Sequence, residues 1–194
     1  MRMFVAVDLD DATRAAVGRE QQMAWRLAAN APIRFVDPRQ THLTMAFLAD
    51  VPSPQCDQLI AAMQQPFGGI RAFDVAFGGL GVFPPKGAPR VLWLGVVAGA
   101  REVIELQRAV ARRIASLGLP LDDRAFHPHL TLGRWRQARP SDRPSLTAGP
   151  HSTGAMRVEH VTLYESRLSS EGPTHIERAR ALLEPLEPLE PSHQ

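Results

Sequence analysis

Two stretches of the chain are nearly the same tetrapeptide, His42-Leu43-Thr44-Met45 and His129-Leu130-Thr131-Leu132. Each sits in a run that reads as a β-strand. Side chains alternate across a strand with period two, so His and Thr share one face while Leu and the fourth residue share the other. The apolar pair can anchor the strand in a core, and the polar pair then stands on the opposite face. The copies lie 87 residues apart, from 42 to 129, in a chain of 194. That spacing predicts an internal duplication in which each half supplies one copy.

The rest of the chain fits strands and helices mixed without strict alternation. Residues 2–9 read as a strand, and Asp10 or Asp11 can cap a helix from residue 12 to about 29. An extended piece at 34–36, a strand at 41–49 and a helix at 53–65 follow, broken by Gly68-Gly69. Residues 71–82 alternate, and Gly78-Gly79 with Gly81 signal a bulge or a close backbone approach. A loop is expected at 83–89, a central strand at 90–97 and an amphipathic helix at 101–117 closed by Gly118. Further strands are expected at 126–135 and, as one long run, at 156–168, with a loop at 139–150, a turn at 169–173 and an element of open type at 174–183. The repeating Glu-Pro-Leu of residues 184–191 reads as the start of a disordered tail, 184–194. Consecutive strands argue for an α+β fold with antiparallel pairing, residues 1–183 forming a single domain.

Composition narrows the function classes. No stretch approaches the roughly 18 uncharged apolar residues of a membrane span. Cys56 is the single cysteine, which excludes a disulfide framework and a thiolate-rich metal site. The N-terminus reads as a first strand and not as a signal peptide, so a cytoplasmic protein is expected. Lys86 is the one lysine among 22 basic residues. Arginine enrichment of this kind fits a coding bias, and it also fits phosphate recognition by the guanidinium fork. A net charge of +2 is too small for extended duplex binding. Gly78-Gly79-Leu80-Gly81 runs into Val82-Phe83-Pro84 and opens no helix, so no nucleotide-cofactor loop is present.

The residue types of the paired tetrapeptide point to phosphodiester chemistry. Hydrolysis needs a base that takes a proton from water and an acid that gives one to the leaving oxygen. Two imidazoles can do both without a metal. Threonine hydroxyls can donate to non-bridging phosphate oxygens as charge develops there. One His-x-Thr is half a site; two facing one cleft complete it.

These tetrapeptides resemble the paired motifs of the 2H phosphoesterase superfamily, and the chain resembles its LigT-like RNA 2′,3′-cyclic phosphodiesterases, historically called 2′-5′ RNA ligases. Met3-Phe4-Val5-Ala6-Val7, Arg34-Phe35-Val36, Phe83-Pro84-Pro85, the segment from Pro89 to Val96 and the segment from Phe126 to Arg134 all carry the likeness. The resemblance implies a bilobal fold of two small antiparallel sheets related by a pseudo-twofold, with helices packed outside and a central cleft. It implies hydrolysis of RNA 2′,3′-cyclic phosphate ends to a 2′-phosphate, or of a small cyclic nucleotide, by a monomer that needs no metal or other cofactor. The reverse reaction, ligation to a 5′-hydroxyl, uses the same groups, and a non-catalytic RNA-end binding module is the alternative of a different class. His42 is implied as general acid and His129 as general base, with Thr44 and Thr131 on the phosphate.

Arg134, His127, Phe83 and Arg34 are the expected substrate-binding residues. Arg134 lies at an odd offset from His129, which a regular strand would turn away from the cleft unless a bulge intervenes. His127 shares parity with His129, but no third ligand accompanies the pair, so no metal site is expected. Phe83 is a candidate to stack on a base, and Phe47 reads chiefly as core. The family's final strand carries an aromatic after its turn glycine, whereas this chain has Gly172-Pro173-Thr174-His175.

Overall fold

Asp10 starts the first helix as its sequence suggests: its carboxylate accepts from Thr13 N at 2.7 Å, satisfying a first-turn donor. In this computed structural model, which describes residues 1–27, 32–122, 124–144, 152–169 and 172–185, the described residues form three α-helices and ten strands. In order these are β1 (Met3–Asp8), α1 (Asp11–Leu27), β2 (Ile33–Phe35), β3 (His42–Leu48), α2 (Ser53–Met63), β4 (Phe67–Arg71), β5 (Phe73–Phe83), β6 (Val91–Ala98), α3 (Ala100–Ala115), β7 (His129–Trp135), β8 (Ser152–Val158), β9 (His160–Ser169) and β10 (Gly172–Glu184). Short 3-10 turns occupy Pro38–Gln40 and Pro140–Asp142.

The strands form one sheet in the order β4-β10-β9-β1-β3-β7-β6-β5-β8, with β2 added against β7. The expected two separate sheets are thus joined. The joining strands are the two that carry the tetrapeptides, and they meet through a single antiparallel pair, Leu43 and Leu130. Beyond that pair the same edge of β7 is taken by β2, from Ile33–Trp135 to Phe35–Gly133, and Val36 N donates to Leu132 O.

The sheet is strongly curved. One residue, Ala72, separates β4 from β5, and one residue, Glu159, separates β8 from β9. Both pairs stand far apart in the strand order, yet adjacent Cα atoms are about 3.8 Å apart. The two ends of the order are therefore drawn towards each other. The expected single strand at 156–168 is divided at Glu159, because its two parts pair with different neighbours, β5 and β1.

The element left open at 174–183 is a strand, and Glu184, expected in the tail, closes it: Glu184 O accepts from Ala72 N and its carboxylate from Gly69 N, each at 2.7 Å. These bonds hold β4 parallel to β10, so Gly68-Gly69 lies within a strand and the pairing is not wholly antiparallel. The expected tail from residue 186 on, residues 170–171 of the expected turn and residues 145–150 of the expected loop lie outside the described residues.

The helices supply one core. Val103, Leu106, Val110 and Ile114 recur at helical spacing along α3 and are fully buried, with Val17 of α1 and Leu59 and Met63 of α2. They join Val5, Leu43, Met45, Leu94, Leu130, Leu132 and Leu163 of the strands in a single apolar cluster. Burying a side chain of this size is worth roughly 1.5–3 kcal/mol. The buried alternate residues of β3 and β7 fix which face remains for chemistry.

Candidate active site

Pairing Leu43 with Leu130 has a direct consequence for the polar residues. In an antiparallel ladder centred there, His42 comes beside Thr131 and Thr44 beside His129. All four are half-buried on the face opposite the leucines, which are 0% exposed. The structure therefore brings the four predicted residues together at the junction of the two halves.

Each imidazole is held in the same way. His42 Nδ1 lies 2.8 Å from Gln40 O, and His129 Nδ1 lies 2.7 Å from His127 O. A carbonyl can only accept, so Nδ1 is the protonated nitrogen in both rings, and Nε2 is left to accept or carry the proton that moves. Burial pushes His42 down to about 4, opposed by the bond to Gln40 and by Asp8, while His175 lowers it further. Burial also lowers His129; its bond to His127 O opposes this, and the charges of His127 and Arg134 add to the lowering.

Aromatic rings wall the two histidines differently. Phe4 stacks on His42 at 4.8 Å and 23°, and His175 meets both rings edge-on, at 4.8 Å from Phe4 and 5.5 Å from His42. The His175 imidazole thus provides the ring for which the sequence offers no aromatic after Gly172. His129 packs edge-on against Phe83 at 5.2 Å and faces Trp93 at 6.3 Å. Gly81 lets the Trp93 indole lie flat on the β5 backbone, because a Cβ there would collide with the ring. This is the close approach that the glycine pattern signalled.

A bulge settles the side on which Arg134 stands. Along β6 and β7 the register shifts between Leu92 and Trp93, so that Leu132 is the extra residue. Thr131 stays opposite Trp93, Arg134 falls opposite Val91, and Arg134 rejoins the face of His129. Arg34 is its partner on β2, and both arginines are exposed.

The first half has the same device. Met45 is the extra residue between Thr44 and Ala46, which returns Phe47 to the motif face opposite Phe4. Phe47 is 60% exposed and 5.9 Å from Phe4, so the expectation that it serves the core is overturned. His127 lies outside the strand, which begins at His129 because Pro128 has no N–H to give a ladder. Its ring nevertheless packs on Phe83 at 5.2 Å and Trp93 at 4.9 Å. Phe83 is the last residue of β5 and not a loop residue.

The model of the 2′-5′ RNA ligase superfamily matches residues 15–170. The chain belongs to that superfamily. Among its relatives, the RNA 2′,3′-cyclic phosphodiesterase of Methanothermobacter thermautotrophicus is 33% identical over 90% of this chain and 95% of its own. Among solved structures, a Thermus thermophilus protein superimposes with a TM-score of 0.77 at 26% identity, covering 96% of this chain and 100% of that one. E. coli LigT complexed with 3′-AMP superimposes with a TM-score of 0.67 at 28% identity, covering 94% of this chain and 97% of that one.

Sequence reasoning passed over Asp8, Phe4, Trp93, Tyr164 and His175. Phe4 and Asp8 carry a readable signal, since they lie at even spacing in the first strand and so share a face. His175 and Tyr164 carry none, because nothing local says that β10 and β9 curve round to meet β1. Among the described residues, no group of three or more His, Cys, Asp or Glu side chains is placed to hold a metal ion, and no helix is long and apolar enough to cross a membrane.

Proposed function

We propose that this superfamily member hydrolyses RNA 2′,3′-cyclic phosphate ends to 2′-phosphates by metal-independent acid–base catalysis. The observation that carries the reading is the Leu43–Leu130 pair, which sets two His-x-Thr units on one face. The names of the archaeal relative and of E. coli LigT with its bound nucleotide support the substrate class.

In this reading the cyclic phosphate lies between the histidines. Nε2 of His129 takes a proton from water as the water oxygen bonds to phosphorus. The P–O3′ bond breaks, and Nε2 of His42 gives its proton to O3′. Thr44 and Thr131 donate to the non-bridging oxygens. Arg134 and Arg34 oppose each other directly, and like charges so placed repel unless an anion lies between them, which suits a phosphate of the RNA chain. Phe83, with His127 behind it, and the exposed Phe47 offer faces for a base. The matching bulges at Met45 and Leu132 support a pseudo-twofold between the halves, and residues 1–184 act as one domain, as a monomer in the cytoplasm.

The test is hydrolysis of the four nucleoside 2′,3′-cyclic phosphates and of a short RNA ending in one, with the product isomer assigned. A 2′-phosphate is expected, with no loss on adding EDTA. His42→Ala and His129→Ala should each lose about 10²–10⁴-fold in kcat, and full activity in either variant would overturn the acid–base pair. Adding an RNA with a 5′-hydroxyl distinguishes hydrolysis from ligation by the product formed.

A further inference from the structure

The two halves of the site share a ladder but differ in charge. Asp8 is the register partner of His42 across β1 and β3, whereas Gly95 is the partner of His129 across β6 and β7. Directly opposed residues hold their Cβ atoms about 4.5–5.5 Å apart. Asp8 and His42 also line one cavity of about 450 Å³, together with His160, Tyr164, His175 and Arg180.

The carboxylate is fixed from the side away from His42. Thr162 Oγ1 donates to its Oδ2 and Tyr164 Oη to its Oδ1, each at 2.7 Å. Burial first, then the bond to Asp8, push Tyr164 well above the ordinary phenol range, so it remains a donor. Each carboxylate oxygen keeps capacity to accept a further bond. Both partners are neutral hydroxyls, so the charge of Asp8 is not spent on a guanidinium.

We propose that Asp8 is the positioning residue that makes His42 the proton donor of the pair, by holding a carboxylate beside that imidazole where His129 has a glycine. The proposal rests on the acid–base reading above and deepens it, since two nearly identical tetrapeptides do not distinguish acid from base.

The other charged groups around His42 leave Asp8 this part. Arg39 is bound to Asp37 at 2.7 Å and Arg180 to Glu177 at 2.9 Å. Arg14 donates to the backbone oxygens of Leu9 and Arg39. His160 Nε2 is 3.9 Å from Asp8 Oδ2, and burial lowers both His160 and His175, which favours their neutral forms. Around His129 the neighbouring charges are those of His127 and Arg134, which favour a neutral ring suited to take a proton. Burial is the largest influence on His42 and lowers it; the Asp8 anion opposes this and favours the protonated ring suited to give a proton, and the phosphate adds in the same direction as Asp8.

The experiment uses the full chain and two readouts. In Asp8→Asn, an NMR titration of the His42 ring should fall by about one pH unit, with His129 unmoved and Asp8→Glu restoring the wild-type position. kcat/KM at neutral pH should fall about tenfold in Asp8→Asn, as the protonated fraction of His42 falls, and should recover in Asp8→Glu. An unmoved His42 titration in Asp8→Asn overturns the proposal. Equal losses in Asp8→Asn and Asp8→Glu also overturn it, by assigning Asp8 a structural role. If the wild-type chain hydrolyses no cyclic phosphate while the His42 titration still moves, the acid–base reading fails and the Asp8–His42 coupling stands.

Discussion

Leu43 and Leu130 are the partners through which the two halves of the sheet pair, and both side chains are fully buried. The packing of two leucines on the helix side thereby sets the spacing of two histidines and two threonines on the other side.

Leu43→Ala and Leu130→Ala should each destabilise the fold by about 2–5 kcal/mol, since each leaves a cavity in the core. The double variant should be non-additive because the residues are direct strand partners across the junction. Denaturant unfolding of the four proteins measures this, and activity assayed well below the transition should fall as the histidines lose their fixed separation.

Gly81→Ala should displace the Trp93 indole from the wall that faces His129. Overpacking of this kind costs about 1–3 kcal/mol. Activity should fall by more than unfolding explains, and the fluorescence of Trp93 should change, using Trp93→Phe as the reference.

Acid should destabilise the protein through His42. The folded ring stays neutral down to about pH 4, while an imidazole in the unfolded chain takes its proton near 6.5. Between those values the unfolded chain binds more protons. The contribution is thus full above about pH 6.5, shrinks as pH falls and levels off below about 4, by an amount on the order of 3 kcal/mol. Burial lowers His129, His160 and His175 in the same direction. Unfolding free energies at a series of pH values should show this slope, and His42→Asn should flatten it.

Phe47→Ala should raise KM for an RNA end with little change in stability, because the ring is 60% exposed. Base stacking on an aromatic ring is worth about 1–3 kcal/mol, or roughly 5- to 150-fold. Phe47→Tyr should retain most of the affinity. An unchanged KM in Phe47→Ala would remove Phe47 from the substrate site.

The paired tetrapeptides, their strand context and the face shared by His and Thr were legible in the chain, because a strand's period of two is a local property. So were α1 with its Asp10 cap and α3 with its four buried apolar residues. Less legible were features that depend on partners. Leu132 and Met45 become bulges only because of what they pair with, and those bulges bring Arg134 and Phe47 onto the site face. The residues at 156–168 look like one strand until pairing with both β5 and β1 breaks them at Glu159.

The amino-acid sequence by itself determined that this protein carries two equivalent His-x-Thr units, since residue type and local periodicity are written into the chain. The tertiary structure decided that they meet at Leu43 and Leu130, and that Asp8 lies beside one histidine and Gly95 beside the other. Register between distant strands sets those neighbours, and register is chosen by packing over the whole core.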